Sequence, residues 1–382
     1  MLLGDQGAVE SSTWRRLRDG GLVHVISVSG LHVGLLAGTL LAAVRHAGIG
    51  ERGGLLVAIP SLAGIVLLTG GGPPVLRASL TGALGALGRA VGRRGDEWAV
   101  ASETASFPNN GLELVKFLRP GEITLLNSKG MTERKAGREE NQICAFLWIY
   151  TGFPASDYEG INTEAVRERC GRCLAKRDKD IGVDLVAGIP DSGIAHAIGY
   201  AMESGKPYRR PLVKYTPGYG RSYTPPSQET RDHIAKMKLV PIKEIIEGNR
   251  IVICEDSIVR GTQLKNFTTA KLWEGGAKEI HCRPACPPLM FPCRFNLSTR
   301  DINELAARRA IRAIEGRDIE DISEYIDDKS EKYRKMVEWI EKDIEVTTLR
   351  YQTVDDMIGA IGLPREKLCL YCWTGDYPKP GE

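Results

Sequence analysis

The sequence predicts an α/β fold for most of its length, a parallel sheet flanked by helices, preceded by an all-α segment of two or three transmembrane helices. Three observations carry this expectation. Short strand-like runs at 184–187, 250–254 and 279–284 alternate with glycine-bearing loops and helical stretches. Residues 22–44 and 54–72 contain no Asp, Glu, Lys or Arg. Composition breaks near residue 95: before it stand nine Arg, four acids and no Lys, after it 42 basic and 44 acidic residues.

A chain of 382 residues fits two or three domains. With 26% charged and 42% hydrophobic residues it is neither a disordered chain nor a collagen-like one, and its length excludes a small disulfide scaffold.

Each of the first two apolar runs, at ~1.5 Å per residue, reaches across a hydrocarbon core of ~30 Å. A third stretch, 74–91, has a helical pattern but carries Arg77 and Arg89, which makes it a weaker span. Gly30, Gly34 and Gly38 recur at a spacing that suits close helix packing in lipid. A buried helical hairpin of a water-soluble protein is the alternative. Charges at Asp5, Glu10, Arg15, Arg16, Arg18 and Asp19 precede the apolar run and argue against a cleaved signal peptide. Arg45 and Arg52 conflict with Arg93 and Arg94 in a positive-inside assignment, so both topologies stay open.

The strings LLGDQGAV, HVISVSGLHVGLL and GGGPPVLRASLTGALGALGR resemble the start of the ComEC-type competence membrane domain of DNA-uptake channels, over about residues 2–95. His24, Ser29, Gly30, His32 and Arg77 carry the likeness. In that family such polar residues sit inside a multi-helix bundle. Two or three helices close no pore, so this fragment is expected to contact membrane through residues 22–91 and to bind no nucleic acid. His24 and His32 read as interhelical hydrogen-bonding residues.

Beyond residue 95, strand DLVA leads into GIPDSG and a helix to about Glu203. Strand RIVIC runs into EDSIVRGT and a helix that Gly275-Gly276 ends. In that second loop, free N–H groups at Arg260, Gly261 and Thr262 make an anion site sized for a phosphate monoester. The adjacent acids Glu255 and Asp256 suit the vicinal hydroxyls of a ribose, or a Mg²⁺. Phosphate and diol together describe a ribose 5-phosphate.

EDSIVRGT resembles the phosphoribosyl pyrophosphate (PRPP) signature of type I phosphoribosyltransferases. WAVASETASF, ICAFLWIYTGFPAS, VAGIPDSGIAHAIGYA, GYGRSYTPPSQETRDHIAKMKL and CLYCWTGDYP narrow the likeness to amidophosphoribosyltransferases (PurF-type), over about residues 96–380. The resemblance implies residues 96–120 as the end of a glutaminase domain and 121–382 as a phosphoribosyltransferase domain with a cysteine-bearing tail. It makes 188–193, with Asp191, Ser192 and Gly193, the pyrophosphate loop. PRPP would also meet Glu255, Asp256, Ser257, Val259, Arg260, Gly261 and Thr262, with Ser192, Glu255 and Asp256 at Mg²⁺. The family has two Asp where this chain has Glu255 and Asp256, a change expected to keep the charge and shift the metal geometry.

The reaction so implied is attack of ammonia on the anomeric carbon as pyrophosphate leaves. Lys214 and Arg221, on the Gly/Pro/Tyr-rich stretch KYTPGYGR, are the candidate catalytic cations, and the stretch reads as a closing flap. Arg231, Lys236 and Lys238 follow as weaker candidates.

Nine Cys, all at or after Cys144, and no secretory signal point to a reducing compartment and to metal rather than disulfides. By resemblance, Cys144, Cys293, Cys369 and Cys372 are the ligands of a 4Fe–4S cluster; a thiolate set suits Zn²⁺ as well. Cys170 and Cys173, at i, i+3 on a helix, read as packing residues, and Cys282 and Cys286 as structural residues at a strand end.

The family's glutaminase nucleophile is a Cys, and none precedes Cys144, so glutamine use is not expected and ammonia is the expected donor. The resemblance also implies a homo-oligomer. Two other readings stand beside the enzyme: a membrane fragment related to DNA uptake, and a fusion of two coding sequences with no joint function. The enzyme domain is expected in the cytoplasm, with the N-terminal helices as an anchor.

Overall fold

The computed structural model of the protein describes residues 60–61, 63–64, 98–127, 130–139, 141–214, 239–262, 264–293 and 301–376. The spans expected at 22–44, 54–72 and 74–91 lie outside these residues, apart from 60–61 and 63–64. Among the described residues no helix is long and apolar enough to cross a membrane. The chain forms two compact units, and the α/β fold belongs to the one comprising 99–125, 131–215 and 225–382.

Its centre is a four-stranded parallel sheet. Strands β1 (Leu185–Gly188), β2 (Arg250–Glu255), β3 (Glu279–Pro284) and β4 (Thr348–Leu349) lie side by side in that order. Ile251 stands between Leu185 and Ile280 in register, and Val252 between Val186 and His281. Side chains alternate across the sheet, so both faces need cover, as the near-continuous apolar strands demand.

Leu185, Ala187, Ile251, Ile253, Ile280 and Cys282 turn to one face. They pack there with Leu272 of helix α3 (Ala270–Glu274), Ala310 of α4 (Ala306–Glu315) and Met336 and Ile340 of α5 (Glu331–Asp343). Val186, Val252 and Cys254 turn to the other face. They meet Val166, Cys170 and Leu174 of α1 (Thr163–Arg177), Tyr200 of α2 (Ile194–Ser204), and Met357 of α6 (Val354–Ile361). Burying a side chain of this size contributes about 1.5–3 kcal/mol.

Local signals set the helix ends. Asn162 accepts from Ala165 N to open the 163–177 helix, with Glu164 in its first turn and Lys176 and Arg177 in its last. Ser330 caps α5 through Tyr333 N, and Thr353 caps the 354–361 helix through Asp356 N. No side chain caps the 194–204 helix, whose N-cap is Gly193.

The strand expected at 184–187 is found one residue later, and those at 250–254 and 279–284 stand where expected. The two-residue β4 was not legible. Its place at the sheet edge comes from pairing Thr348 and Leu349 with His281 and Cys282, which the local pattern does not encode.

Candidate functional site

The two expected binding loops emerge from the carboxyl ends of β1 and β2, neighbours in the sheet. Parallel strands align those ends, so loops distant in sequence open on one side. Ile189 N donates to Cys254 O at 3.0 Å, and Gly193 N returns to Ile189 O at 2.9 Å, which folds 188–193 tightly over β2. A Cβ on Gly193 would stand 2.2 Å from Cys254 O, so this approach needs glycine. The peptide between Pro190 and Asp191 is cis.

Ser192 Oγ donates to Glu255 Oε1 at 3.4 Å, joining the loops. Asp256 N donates to the same Glu255 oxygen at 3.2 Å, and Ser257 Oγ to Asp256 Oδ1 at 2.6 Å. Glu255 keeps partial exposure as a residue while its carboxyl is desolvated. That burial, with the neighbouring Asp256 charge, pushes it well above the ordinary carboxylate range. Lys214 Nζ lies 2.6 Å from Asp191 Oδ2, so this lysine stands beside the 188–193 loop. Gly261 adopts φ +78°, the left-handed turn that carries the chain past Val259 and Arg260 to Thr262. The Arg260 side chain is ion-paired with Glu304. Arg221, Arg231, Lys236 and Lys238 lie outside the described residues.

Three neighbours of the site escaped sequence reasoning. Arg167 donates through Nε to Trp148 O at 2.9 Å and through Nη2 to Tyr150 O at 2.9 Å and Gly152 O at 2.8 Å. His196 sets Nδ1 3.0 Å from Arg167 O and Nε2 3.2 Å from Ile149 O. Together they shape the helical turn Leu147–Thr151 and hold Tyr150 within electrostatic reach of Asp256, Glu255 and Lys214. Burial and those two carboxylates raise the Tyr150 phenol. Burial pushes His196 down to about 4. The string ICAFLWIYTGFPAS held the turn, but no periodicity marked it.

The oxygen donors Ser192, Glu255 and Asp256 fit Mg²⁺, which takes one or two carboxylates and leaves positions for substrate phosphates. Cys369 pairs in register with Cys144 through a short parallel ladder. Burial, with Cys369 and Cys293 adding, pushes the Cys144 thiol up to about 11, and burial with Cys293, Cys144 and Cys369 raises Cys372. Cys144, Cys293 and Cys369 thus all lie within electrostatic reach of Cys372. Their donor chemistry fits a thiolate centre, although among the described residues no three His, Cys, Asp or Glu stand as a ready ligand group. Cys170, Cys282 and Cys286 are fully buried in the apolar cores, and the expectation for Cys170 as a packing residue agrees with that.

Residues 1–107 match a family model described as competence protein. The chain is 34% identical over 293 residues to the amidophosphoribosyltransferase of Bacillus subtilis, covering 75% of this chain and 56% of that one. To the amidophosphoribosyltransferase of Methanothermobacter thermautotrophicus it is 35% identical over 292 residues, covering 76% and 56%. Among solved structures it resembles the B. subtilis glutamine PRPP amidotransferase complexed with ADP and GMP. That likeness has a TM-score of 0.58 at 32% identity over 72% of this chain and 56% of that one. A structure described as the allosteric regulatory enzyme of purine biosynthesis gives a TM-score of 0.59 at 32% identity, over 72% of this chain and 55% of that one. The chain spans about half the length of the curated relatives it matches.

Proposed function

We propose, from this similarity and the site geometry, that the α/β unit transfers an amino group to PRPP, as an amidophosphoribosyltransferase does. The observation that carries the reading is the Ser192–Glu255 bond, which joins the 188–193 and 255–262 loops at adjacent strand ends. The nitrogen of ammonia attacks C1 of PRPP, the bond from C1 to the pyrophosphate oxygen breaks, and the nitrogen loses one proton. The products are 5-phosphoribosylamine and pyrophosphate, an entry step to purine synthesis.

The protein's part is positioning and charge neutralisation. Asp191, Ser192 and Gly193 hold the pyrophosphate with Lys214, while Glu255 and Asp256 take the ribose hydroxyls. Ser257, Val259, Arg260, Gly261 and Thr262 form the cradle of the 5-phosphate, and Arg221 supplies a second cation. Ser192, Glu255 and Asp256 would hold Mg²⁺, which neutralises the departing diphosphate when bound. Cys144, Cys293, Cys369 and Cys372 would hold a 4Fe–4S cluster, or Zn²⁺, which ties the short C-terminal strand Leu368–Cys369 to the strand at Ile143–Cys144.

Domain boundaries near residues 95 and 120, self-association through the α/β unit and membrane attachment through 22–91 belong to the same reading. Light scattering and membrane fractionation test the last two. The central experiment supplies the purified chain with PRPP, Mg²⁺ and ammonium chloride and measures pyrophosphate. Release is expected with ammonium, and a parallel assay with glutamine reads whether glutamate is formed as well. No pyrophosphate with ammonium would overturn the transfer reading.

A further inference from the structure

The anion loop after β2 is gripped from one side by residues 304–309. Ala306 N, at the start of α4, donates to Val259 O at 2.8 Å. Arg309 Nη2 donates to Arg260 O at 3.2 Å, and Glu304 pairs with the Arg260 side chain. Arg309 is held in its turn. Its Nη2 also donates to Asp343 Oδ2 at 2.5 Å, and its guanidinium lies 5.8 Å from the Trp339 ring, both residues on α5. One guanidinium therefore ties the loop to the two helices beneath it.

The consequence follows from peptide geometry. The Arg260–Gly261 peptide is planar and trans, so its carbonyl and the N–H of Gly261 point in opposite directions. A cation that grips the Arg260 carbonyl fixes the plane and leaves the Gly261 N–H pointing away from Arg309. It also polarises the peptide, which strengthens that N–H as a donor. Gly261 reaches the required φ of +78° beside Ile344, whose Cγ2 would lie 3.1 Å from any added Cβ, so the loop has little room to find another course.

We propose that Arg309 is a positioning residue for the phosphate cradle: without touching the ligand, it orients the Gly261 N–H through the Arg260 carbonyl, with Asp343 as its anchor. This rests on reading 257–262 as the 5-phosphate cradle. It assigns to α4 and α5 a part in ligand binding that no local motif announced.

The test uses calorimetric titration of the full chain with two probes, ribose 5-phosphate and magnesium pyrophosphate, since they divide the cleft between the two loops. Arg309→Ala should weaken ribose 5-phosphate about tenfold and leave pyrophosphate within about twofold, with Arg309→Lys recovering part of the loss. A merely structural role would weaken both probes together. Asp343→Asn should shift ribose 5-phosphate in the same direction by a smaller factor, which keeps the test decisive should Arg309→Ala fold poorly. Equal weakening of both probes, or no change in either variant, overturns the proposal. A parent chain that binds no ribose 5-phosphate overturns the cradle reading itself, and the role of Arg309 falls with it. A parent that binds and an Arg309→Ala chain that binds as well overturn the role alone.

Discussion

Ser192 and Glu255 stand 63 residues apart in sequence, and the 3.4 Å hydrogen bond between them joins the two loops that would share one diphosphate sugar. Glu255 accepts this bond beside the Asp256 carboxyl, which is buried to 5% exposure. Two acids so close repel, and a divalent cation relieves that repulsion.

Ligand stabilisation should therefore require metal. PRPP at a hundredfold its Kd should raise the midpoint of thermal unfolding by about 5–10 °C with Mg²⁺ present and by much less in EDTA. Asp256→Ala should abolish the difference between the two conditions. A full shift in EDTA would contradict the assignment of Ser192, Glu255 and Asp256 as the metal's ligands.

Lys214 is held at the 188–193 loop by its 2.6 Å pair with Asp191. Lys214→Gln should lower kcat for pyrophosphate release about 10²-fold, the scale for removing one preorganised charge from a developing anion. Steady-state rates at saturating PRPP decide this. An unchanged kcat would remove Lys214 from the catalytic group.

His196 gives the fold a defined acid sensitivity. Its pKa is pushed down to about 4 by burial, against about 6.5 for an exposed imidazole. Between those values the unfolded chain binds the proton and the folded chain does not, so stability falls as pH drops from about 6.5 to 4 and is full above that window. Urea midpoints across the window should decline in the parent and decline less in His196→Gln. Parallel curves would show that other groups govern the effect.

The salt bridge between Arg283 and Asp178 joins side chains 0% and 1% exposed. Tyr200 donates to Asp178 at 2.9 Å and Arg350 adds a second contact at 2.9 Å. Arg283→Ala leaves a buried carboxylate short of its main partner and should cost about 3–5 kcal/mol in urea unfolding. Replacing Asp178 by Asn in the same chain should recover part of that loss. A cost below about 1 kcal/mol for Arg283→Ala would mean that water or Arg350 takes over.

Protein purified without oxygen should contain iron and sulfide, and Cys372→Ser should lose both, along with the visible absorption of the cluster. Zinc in place of iron would select the other thiolate centre. Neither metal would leave the raised thiols of Cys144 and Cys372 protonated, since ligation must first release their protons.

Much is readable in the sequence because it is contiguous. The strand at 279–284, the run RIVIC into EDSIVRGT, and the helix ended by Gly275-Gly276 are each written in neighbouring residues, and each stands in the structure. Lys214 was legible only through its motif, yet it does stand at Asp191. Tertiary structure alone decided what lies far apart in the chain: the edge position of β4, the Arg167 and His196 supports of the Tyr150 turn, and the hold of Arg309 on Arg260. The physical reason is that a strand or a helical turn repeats along the sequence and leaves a period. A hydrogen bond across 49 or 63 residues leaves none, and exists only once the sheet has brought its two ends together.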